Sequence, residues 1–264
     1  DFADVAAVTK AIKPNTKALY IETPSNPTLQ VTDIKAIVAV AKKHHLLTIA
    51  DNTFLSPFLQ RPLDLGVDIV VHSATKFLAG HSDILAGAVV VKQKALADCI
   101  YFIQNAVGAT LGVFDTWLLL RGMKTLAVRM TQSSQSAKKI ATFLAQHDKV
   151  SRILYPGLPT HQGYDIQLSQ AKNGGAVLSF DVGNQHNAQT VVANLKIPVF
   201  SVSLGGVESI ISYPPKMSHA ELTTTQLLEN GISPGLLRLS VGLESADDLI
   251  NDLNQALNKI KKGA

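Results

Sequence analysis

Residues 17–50, KALYIETPSNPTLQVTDIKAIVAVAKKHHLLTIA, decide the fold class of this chain. Lys17–Thr23 has the composition of a β-strand, which the turn Pro24-Ser25-Asn26-Pro27 breaks. Asp33–His45 places its apolar residues on one helical face, and Leu46–Ala50 is an apolar run suited to a strand buried on both sides. The stretch therefore predicts one βαβ unit.

The alternation of strands and helices continues along the chain. Val67–Val71 and Gly87–Val91 predict two further strands of the same sheet, and residues 114–147 have the apolar spacing of helices. We expect an α/β fold with a mostly parallel sheet flanked by helices. Its larger domain would span residues 1–130, and a smaller α/β domain would span 131–264.

The smaller domain is predicted from short apolar runs between turns rich in glycine, proline and asparagine. Ser245, with Asp248 three residues later, predicts the start of a last amphipathic helix. The predicted strands of this domain are Ala176–Val182, Val199–Val202, Ser209–Ser212 and Leu236–Val241.

Composition excludes several classes of protein. The chain has 264 residues, of which 46% are hydrophobic, and its net charge of +4 is dispersed, so neither disorder nor nucleic-acid binding is predicted. The apolar run Ile84–Val91 is far shorter than the roughly 20 residues of a membrane helix. Cys99 is the single cysteine and cannot form an intrachain disulfide, which favours a reducing, cytoplasmic setting.

The first residues are unusual for a complete protein. The chain begins at Asp1 instead of methionine, and it reaches a strand with motif-like loops within about 16 residues. We therefore expect a chain truncated at its N-terminus.

Two side chains stand where an α/β sheet builds its ligand crevice. Asp51 follows one apolar strand, and Lys76 follows the next with Ser73 and Thr75 beside it. A partly desolvated lysine near other positive charge can attack a carbonyl, and an aspartate can hold a pyridine nitrogen protonated. By themselves, however, the two residues also fit a turn-forming aspartate and a solvated lysine.

Five motifs occur in order along the chain. They are Glu22-Thr23-Pro24-Ser25-Asn26-Pro27, Ala50-Asp51-Asn52-Thr53, His72-Ser73-Ala74-Thr75-Lys76-Phe77-Leu78-Ala79-Gly80-His81-Ser82-Asp83, Ser203-Leu204-Gly205-Gly206-Val207-Glu208-Ser209 and Leu237-Arg238-Leu239-Ser240-Val241-Gly242-Leu243-Glu244. Because of these motifs, the chain resembles the Cys/Met-metabolism family of pyridoxal 5′-phosphate (PLP) enzymes, which resolves the alternatives for Asp51 and Lys76. That family includes cystathionine β-lyases, γ-lyases and γ-synthases, and the similarity is greatest to the β-lyases.

The resemblance implies a PLP-dependent transferase type I fold. It also implies that Lys76 holds PLP as a Schiff base and that Asp51 pairs with its pyridine nitrogen. Ser73 and Thr75 would bind the cofactor phosphate. The further cofactor contacts would be Asn26 and Thr53.

The substrate contacts implied by the resemblance are Arg238, Ser203 and Asn26. A guanidinium at Arg238 would bind the substrate α-carboxylate with two parallel hydrogen bonds. Ser203 would lie near the lysine amine. The alternatives are a surface salt bridge for Arg238 and a simple turn for Ser203. We assign no metal, because the histidines lack a ligand spacing.

The implied reaction is cleavage of a carbon–sulfur bond in sulfur amino-acid metabolism, as in transsulfuration and methionine biosynthesis. Lys76 would remove the Cα proton, and loss of a thiolate from Cβ would give pyruvate and ammonia. Val202 favours this β-elimination, because γ-enzymes often carry an acidic residue at that position. The alternatives are γ-elimination, replacement at Cγ and a catalytically silent scaffold on the same fold.

The resemblance also implies partners and missing parts. Family members form homotetramers built as dimers of dimers, and their N-terminal part supplies a phosphate-binding turn and a tyrosine that stacks on the cofactor ring. We therefore expect weak PLP retention and little activity if this chain is the whole molecule.

Overall fold

The computed structural model describes residues 1–261, and its first sheet has four strands. The strand order is β1-β2-β3-β4; the first three strands are parallel, and β4 runs antiparallel to β3. The predicted α/β class is confirmed. The strands are β1 (Ala18–Glu22), β2 (Leu47–Asp51), β3 (Ile69–Ser73) and β4 (Gly87–Val91).

The predicted βαβ unit is confirmed, with helix α2 (Ile34–Lys43) between β1 and β2. Asp33 caps this helix by accepting a hydrogen bond from the Ala36 N–H. The buried residues of α2 recur at helical spacing and pack on the sheet, and they are Ile34, Ile37, Val38 and Ala41.

The expectation that β2 is buried on both sides is wrong. Its residues alternate, so that Thr48 and Ala50 are buried while Leu47 is 39% exposed. Helix α2 covers one face of the sheet, and among residues 1–261 the other face is only partly covered. Strand boundaries also differ from the prediction by one or two residues, so that Asp51 is the last residue of β2 and β3 extends to Ser73.

Helices connect the first sheet to the rest of the chain, in agreement with the predicted helical stretch. Helix α6 carries nine buried residues and contacts both the short helix α3 and the second sheet. The helices of the first half of the chain, apart from α2, are α1 (Val5–Ala11), α3 (Ser56–Leu59), α4 (Lys94–Val107), α5 (Val113–Met123) and α6 (Leu126–Leu144), with a 3-10 helix at Pro62–Leu65.

The second sheet contains five strands in the order β5-β6-β9-β8-β7. Neighbours are antiparallel except for the parallel pair β7 and β8. All four strands predicted for this part of the chain are present. The five strands are β5 (Arg152–Leu154), β6 (Val177–Asp181), β7 (Val199–Phe200), β8 (Ile210–Ser212) and β9 (Leu236–Ser240).

Helices of the second half of the chain pack with the second sheet through one apolar cluster. The predicted cap is confirmed, because the Asp248 N–H donates to the Ser245 hydroxyl. The helices are α7 (Tyr164–Gln170), α8 (Gln185–Asn194), α9 (Thr224–Glu229) and α10 (Ala246–Leu257), with a 3-10 helix at Pro214–Lys216.

A buried apolar cluster joins the two sheets. It includes Phe77 from the loop after β3, Met130 from α6 and Val177 from β6. Because α6 runs through position 130, the domain boundary between residues 130 and 131 stays a prediction. Within residues 1–261, no helix is long and apolar enough to cross a membrane.

Candidate active site

Asp51 lies at the carboxyl end of β2, at the edge where α/β sheets bind ligands. Its Oδ1 accepts a hydrogen bond of 2.9 Å from the Thr53 N–H, and its Oδ2 lies 3.4 Å from the Tyr20 hydroxyl. The Thr53 hydroxyl in turn accepts from the Ser73 N–H at 2.8 Å. Three of the predicted residues are thus joined across the ends of two neighbouring strands.

Lys76 follows β3 and reaches across to the loop before β8. Its Nζ donates a hydrogen bond of 2.6 Å to the Ser203 hydroxyl. Burial, and secondly the charge of Arg238, lower the pKa of the Lys76 amine below its ordinary value. A larger fraction of this amine is therefore neutral and nucleophilic at physiological pH.

Ser203 has a backbone conformation that side chains rarely adopt, with φ of 87°. This geometry turns its carbonyl toward Arg238, whose Nη2 donates to it at 2.6 Å. The same residue therefore contacts the lysine amine through its hydroxyl and the guanidinium through its carbonyl. Gly205 follows at φ of 81°, and a Cβ there would lie 2.7 Å from the Phe77 nitrogen, so the loop packs closely on the residue after Lys76.

Arg238 lies in the middle of β9 and is only 4% exposed. Its Nη1 donates to the Asn26 side-chain oxygen at 2.7 Å, and its buried Nε has no hydrogen-bond partner within residues 1–261. Burial lowers the pKa of Arg238 to about 10, against the opposite effect of Glu22, so the group stays charged at neutral pH. A desolvated guanidinium with a free N–H favours a carboxylate ligand.

The two predicted phosphate ligands differ in their present contacts. The Ser73 hydroxyl has no hydrogen-bond partner within the described chain, so it can donate to a phosphate. The Thr75 hydroxyl instead accepts from the Ala86 N–H at 2.9 Å and donates to the Ala86 carbonyl at 3.2 Å. Thr75 would have to release that carbonyl to bind a phosphate.

Glu22 is a site residue to which the sequence reasoning gave no role, although it begins the first motif. Parallel pairing sets it directly beside Asp51. Burial of its carboxylate, and secondly the charge of Asp51, raise the pKa of Glu22 to about 7. The predicted βαβ unit contained the signal for this neighbour, since both carboxylates end parallel strands.

The donor set fits PLP. Lys76 offers an amine with a lowered pKa for an aldehyde, Asp51 offers a carboxylate for a ring nitrogen, and Ser73 offers a free hydroxyl for a phosphate. Within residues 1–261, no three His, Cys, Asp or Glu side chains are grouped to hold a metal ion.

Comparison with known proteins identifies the family. The sequence profile described as Cys/Met metabolism PLP-dependent enzyme matches residues 1–258. The chain belongs to this family. PLP is therefore its cofactor, as predicted.

Individual members of the Cys/Met metabolism family are similar over almost the whole chain. Cystathionine beta-lyase MetC of Bacillus subtilis (strain 168) is 55% identical over 98% of this chain and 67% of its own length. Cystathionine gamma-lyase of the same organism is 49% identical over 96% of this chain and 67% of its own length.

A solved structure of the Cys/Met metabolism family supports the fold. Cystathionine gamma-lyase from Lactobacillus plantarum, complexed with L-serine, superposes with a TM-score of 0.96 at 48% identity and covers 98% of this chain. This chain covers 68% of that structure. It thus spans about two thirds of the length of these relatives.

Proposed function

We propose that this chain forms part of a PLP-dependent carbon–sulfur lyase that cleaves cystathionine by β-elimination into homocysteine, pyruvate and ammonia. The observation that carries the proposal is the double contact of Ser203 with the Lys76 amine and the Arg238 guanidinium. A base and a carboxylate-binding group lie on either side of one residue. An amino acid held by Arg238 would therefore present its Cα to Lys76.

The proposed cofactor site uses residues of both strand ends. Lys76 would bind PLP covalently, Asp51 would pair with its pyridine nitrogen, and Ser73 and Thr75 would bind its phosphate. Bound PLP supplies an electron sink for the negative charge that develops at Cα. The proposed additional ring contacts are Asn26 and Thr53.

The proposed substrate site depends on the two polar contacts of Arg238. The Asn26 side chain and the Ser203 carbonyl hold the guanidinium plane in place, and a substrate carboxylate would accept from its remaining N–H groups. Lysine could not reproduce this planar, two-bond match.

Lys76 would act as the general base that takes the Cα proton. Its lowered pKa increases the fraction of neutral amine, and the Ser203 hydroxyl at 2.6 Å orients its Nζ. Glu22, with its pKa raised to about 7, would reduce the negative charge beside Asp51 when protonated.

Two observations favour β-elimination. The Bacillus subtilis relative with 55% identity is a cystathionine beta-lyase, and the residue before Ser203 is the apolar, largely exposed Val202. The relative with 49% identity favours the second candidate, because it is a cystathionine gamma-lyase. Differences in pocket shape that separate such activities are worth only a few kcal/mol.

We further propose a homo-oligomer, a dimer of dimers, in the cytoplasm. Every residue of α4 is at least partly exposed, although the helix carries Tyr101, Phe102 and Ile103, and α5 exposes Phe114 and Trp117. Such a patch is typical of protein interfaces. A reducing cytoplasm suits a reaction that releases a free thiol.

The Lys76→Ala variant of the full-length protein tests the function. Incubation of the wild type with PLP should produce a visible absorbance band that Lys76→Ala abolishes. The control Lys92→Ala, which removes an exposed lysine after β4, should keep the band. A band retained in Lys76→Ala would contradict the assignment.

Product analysis then decides the bond that is cleaved. With cystathionine as substrate, pyruvate and homocysteine indicate β-elimination. Formation of 2-oxobutyrate and cysteine would support the γ-lyase alternative. Absence of both pairs of products from a PLP-loaded protein would favour replacement at Cγ or a silent scaffold.

A further inference from the structure

A buried arginine lies behind the segment that follows Lys76. Arg129, near the start of α6, is only 5% exposed, and no carboxylate within residues 1–261 forms a salt bridge with it. Its Nη1 donates to the Phe77 carbonyl at 2.7 Å, and its Nη2 donates to the carbonyls of Gly122 at 2.9 Å and Leu78 at 3.3 Å. Its Nε donates to the Thr125 hydroxyl at 3.0 Å. Most hydrogen bonds of the Arg129 guanidinium are therefore donated to main-chain carbonyls, and the fourth is donated to a hydroxyl.

Burying a charged guanidinium costs free energy that a residue needed only to fill space would not require. Burial lowers the pKa of Arg129, because the charged form loses water and gains only carbonyl and hydroxyl dipoles. An apolar side chain of similar size would avoid that cost, but the carbonyls of Phe77 and Leu78 would then lose their donor. The rigid fork of the guanidinium, in contrast, fixes the directions of several carbonyls at once.

Two glycines allow the close approach. A Cβ on Gly80, where φ is +74°, would overlap the Arg129 guanidinium. A Cβ on Gly122 would overlap the Ala79 carbonyl. The segment 77–80 is therefore pressed against the junction of α5 and α6.

The same segment also contacts the loop that carries Ser203. A Cβ on Gly205 would lie 2.7 Å from the Phe77 nitrogen and 3.0 Å from the Lys76 carbonyl carbon. In addition, the Gly80 N–H donates to the Lys76 carbonyl at 2.8 Å, which closes a turn over the segment. The main chain at and after Lys76 thus contacts both Arg129 and the loop that carries Ser203.

We propose that Arg129 is a positioning residue that fixes the Lys76 amine by holding the carbonyls of the two residues that follow it. The inference rests on the proposed role of Lys76. Arg129 touches neither substrate nor cofactor in this role. It acts through the main chain, so its loss should let the amine move relative to Ser203 and Arg238. A displacement of about 1 Å can slow catalysis about 100-fold.

Ser133 offers a matched control on the same helix. It is buried on α6, and its hydroxyl donates to the Gly242 carbonyl at 3.0 Å, away from the segment 77–80. Ser133→Ala therefore also removes a buried bond from α6 to a loop carbonyl. It should lower stability without displacing Lys76.

The test compares Arg129→Met, Arg129→Lys and Ser133→Ala in the full-length protein. With PLP bound, Arg129→Met should lower kcat about 100-fold while KM changes less than about threefold. In the PLP-free protein, acetylation of Lys76 followed by mass spectrometry reports the pH midpoint of its amine. That midpoint should rise in Arg129→Met, because a displaced amine gains water and leaves the field of Arg238. Ser133→Ala should match the wild type in kcat and midpoint.

The outcomes decide the proposal. If Arg129→Met folds and matches Ser133→Ala in kcat and midpoint, the role of Arg129 is structural only and the proposal is overturned. If Arg129→Met does not fold, Arg129→Lys decides, and a lysine variant that is unchanged or also unfolded overturns it. Failure of the proposed function would be distinguishable from failure of the positioning role. In the first case the wild-type protein would lack a PLP absorbance band that depends on Lys76. The pH midpoint of Lys76 acetylation would still report whether Arg129 positions the amine.

Discussion

The two sheets differ in how completely they are buried. Every residue of β6 and β9 is buried, whereas every residue of β4 is exposed or half-buried and β2 is buried on alternate residues only. The first sheet nevertheless carries the proposed chemistry, because Asp51 ends β2 and Lys76 lies in the loop after β3. The more buried sheet contributes a single charged group, Arg238, held rigidly in its centre.

The difference in burial predicts that the second sheet mainly determines the stability of the protein and that the first sheet mainly determines its activity. Most apolar residues of the second sheet belong to the large cluster packed by α6, α8 and α10, so their truncation should lower the free energy of unfolding by several kcal/mol. Polar residues at the edge of the first sheet should affect activity more than stability. Arg238 is the exception, since a residue of the stable sheet is proposed to bind substrate.

The largest effect on catalysis is expected at Arg238. Arg238→Lys should lower kcat/KM about 100-fold or more, because lysine cannot bind a carboxylate through two parallel bonds and leaves buried acceptors unpaired. Steady-state kinetics of the PLP-loaded full-length protein measure this loss. Arg152→Lys, on the exposed edge strand β5, is the control and should leave kcat/KM unchanged. Equal kinetics for the two variants would place the carboxylate site elsewhere.

A matched pair of leucines tests the difference in burial directly. Leu178→Ala in β6, where the side chain is 0% exposed, should lower the free energy of unfolding by about 2–5 kcal/mol. Leu47→Ala in β2, at 39% exposure, should lower it by about 1 kcal/mol or less. Urea denaturation of both variants measures the difference. Similar losses would mean that the exposed face of the first sheet is covered in solution.

A smaller effect, dependent on pH, is expected at His72 in β3. Burial lowers the pKa of His72 below the ordinary histidine value, and its Nδ1 has no hydrogen-bond partner within residues 1–261. The unfolded chain therefore binds the proton more readily than the folded one, so stability is lost as pH falls below about 6.5. The loss cannot exceed about 1.4 kcal/mol per pH unit for one proton.

The free energy of unfolding, measured at pH values from about 7.5 to about 5.5, on both sides of the histidine pKa of roughly 6.5, tests this prediction. His72→Gln should reduce the acid-induced loss of stability, and the exposed His186→Gln should retain it in full. Burial also lowers the pKa of His161, so part of the loss should persist in His72→Gln. An unchanged pH dependence in His72→Gln would show that His72 is hydrated in the folded protein.

Local sequence patterns predicted much of the fold. The βαβ unit of residues 17–50 was predicted because helical and strand periodicities are local, and the Ser245 cap because it involves a residue three positions away. The predicted burial of β2 failed for the same reason. An apolar run is consistent with a strand buried on both faces, but its neighbours in space determine how much of it is covered.

The sequence by itself determined which residues could carry the chemistry, since Lys76, Asp51 and Arg238 each lie in a recognisable motif. Only the tertiary structure decided how they meet. Ser203 bridges a lysine 127 positions away and an arginine 35 positions away. Arg129, which lies in none of the five motifs, donates a hydrogen bond to the carbonyl of Phe77, 52 positions away. Such contacts depend on how the sheets and helices pack, because hydrogen bonds between distant residues form only after chain closure has brought them together.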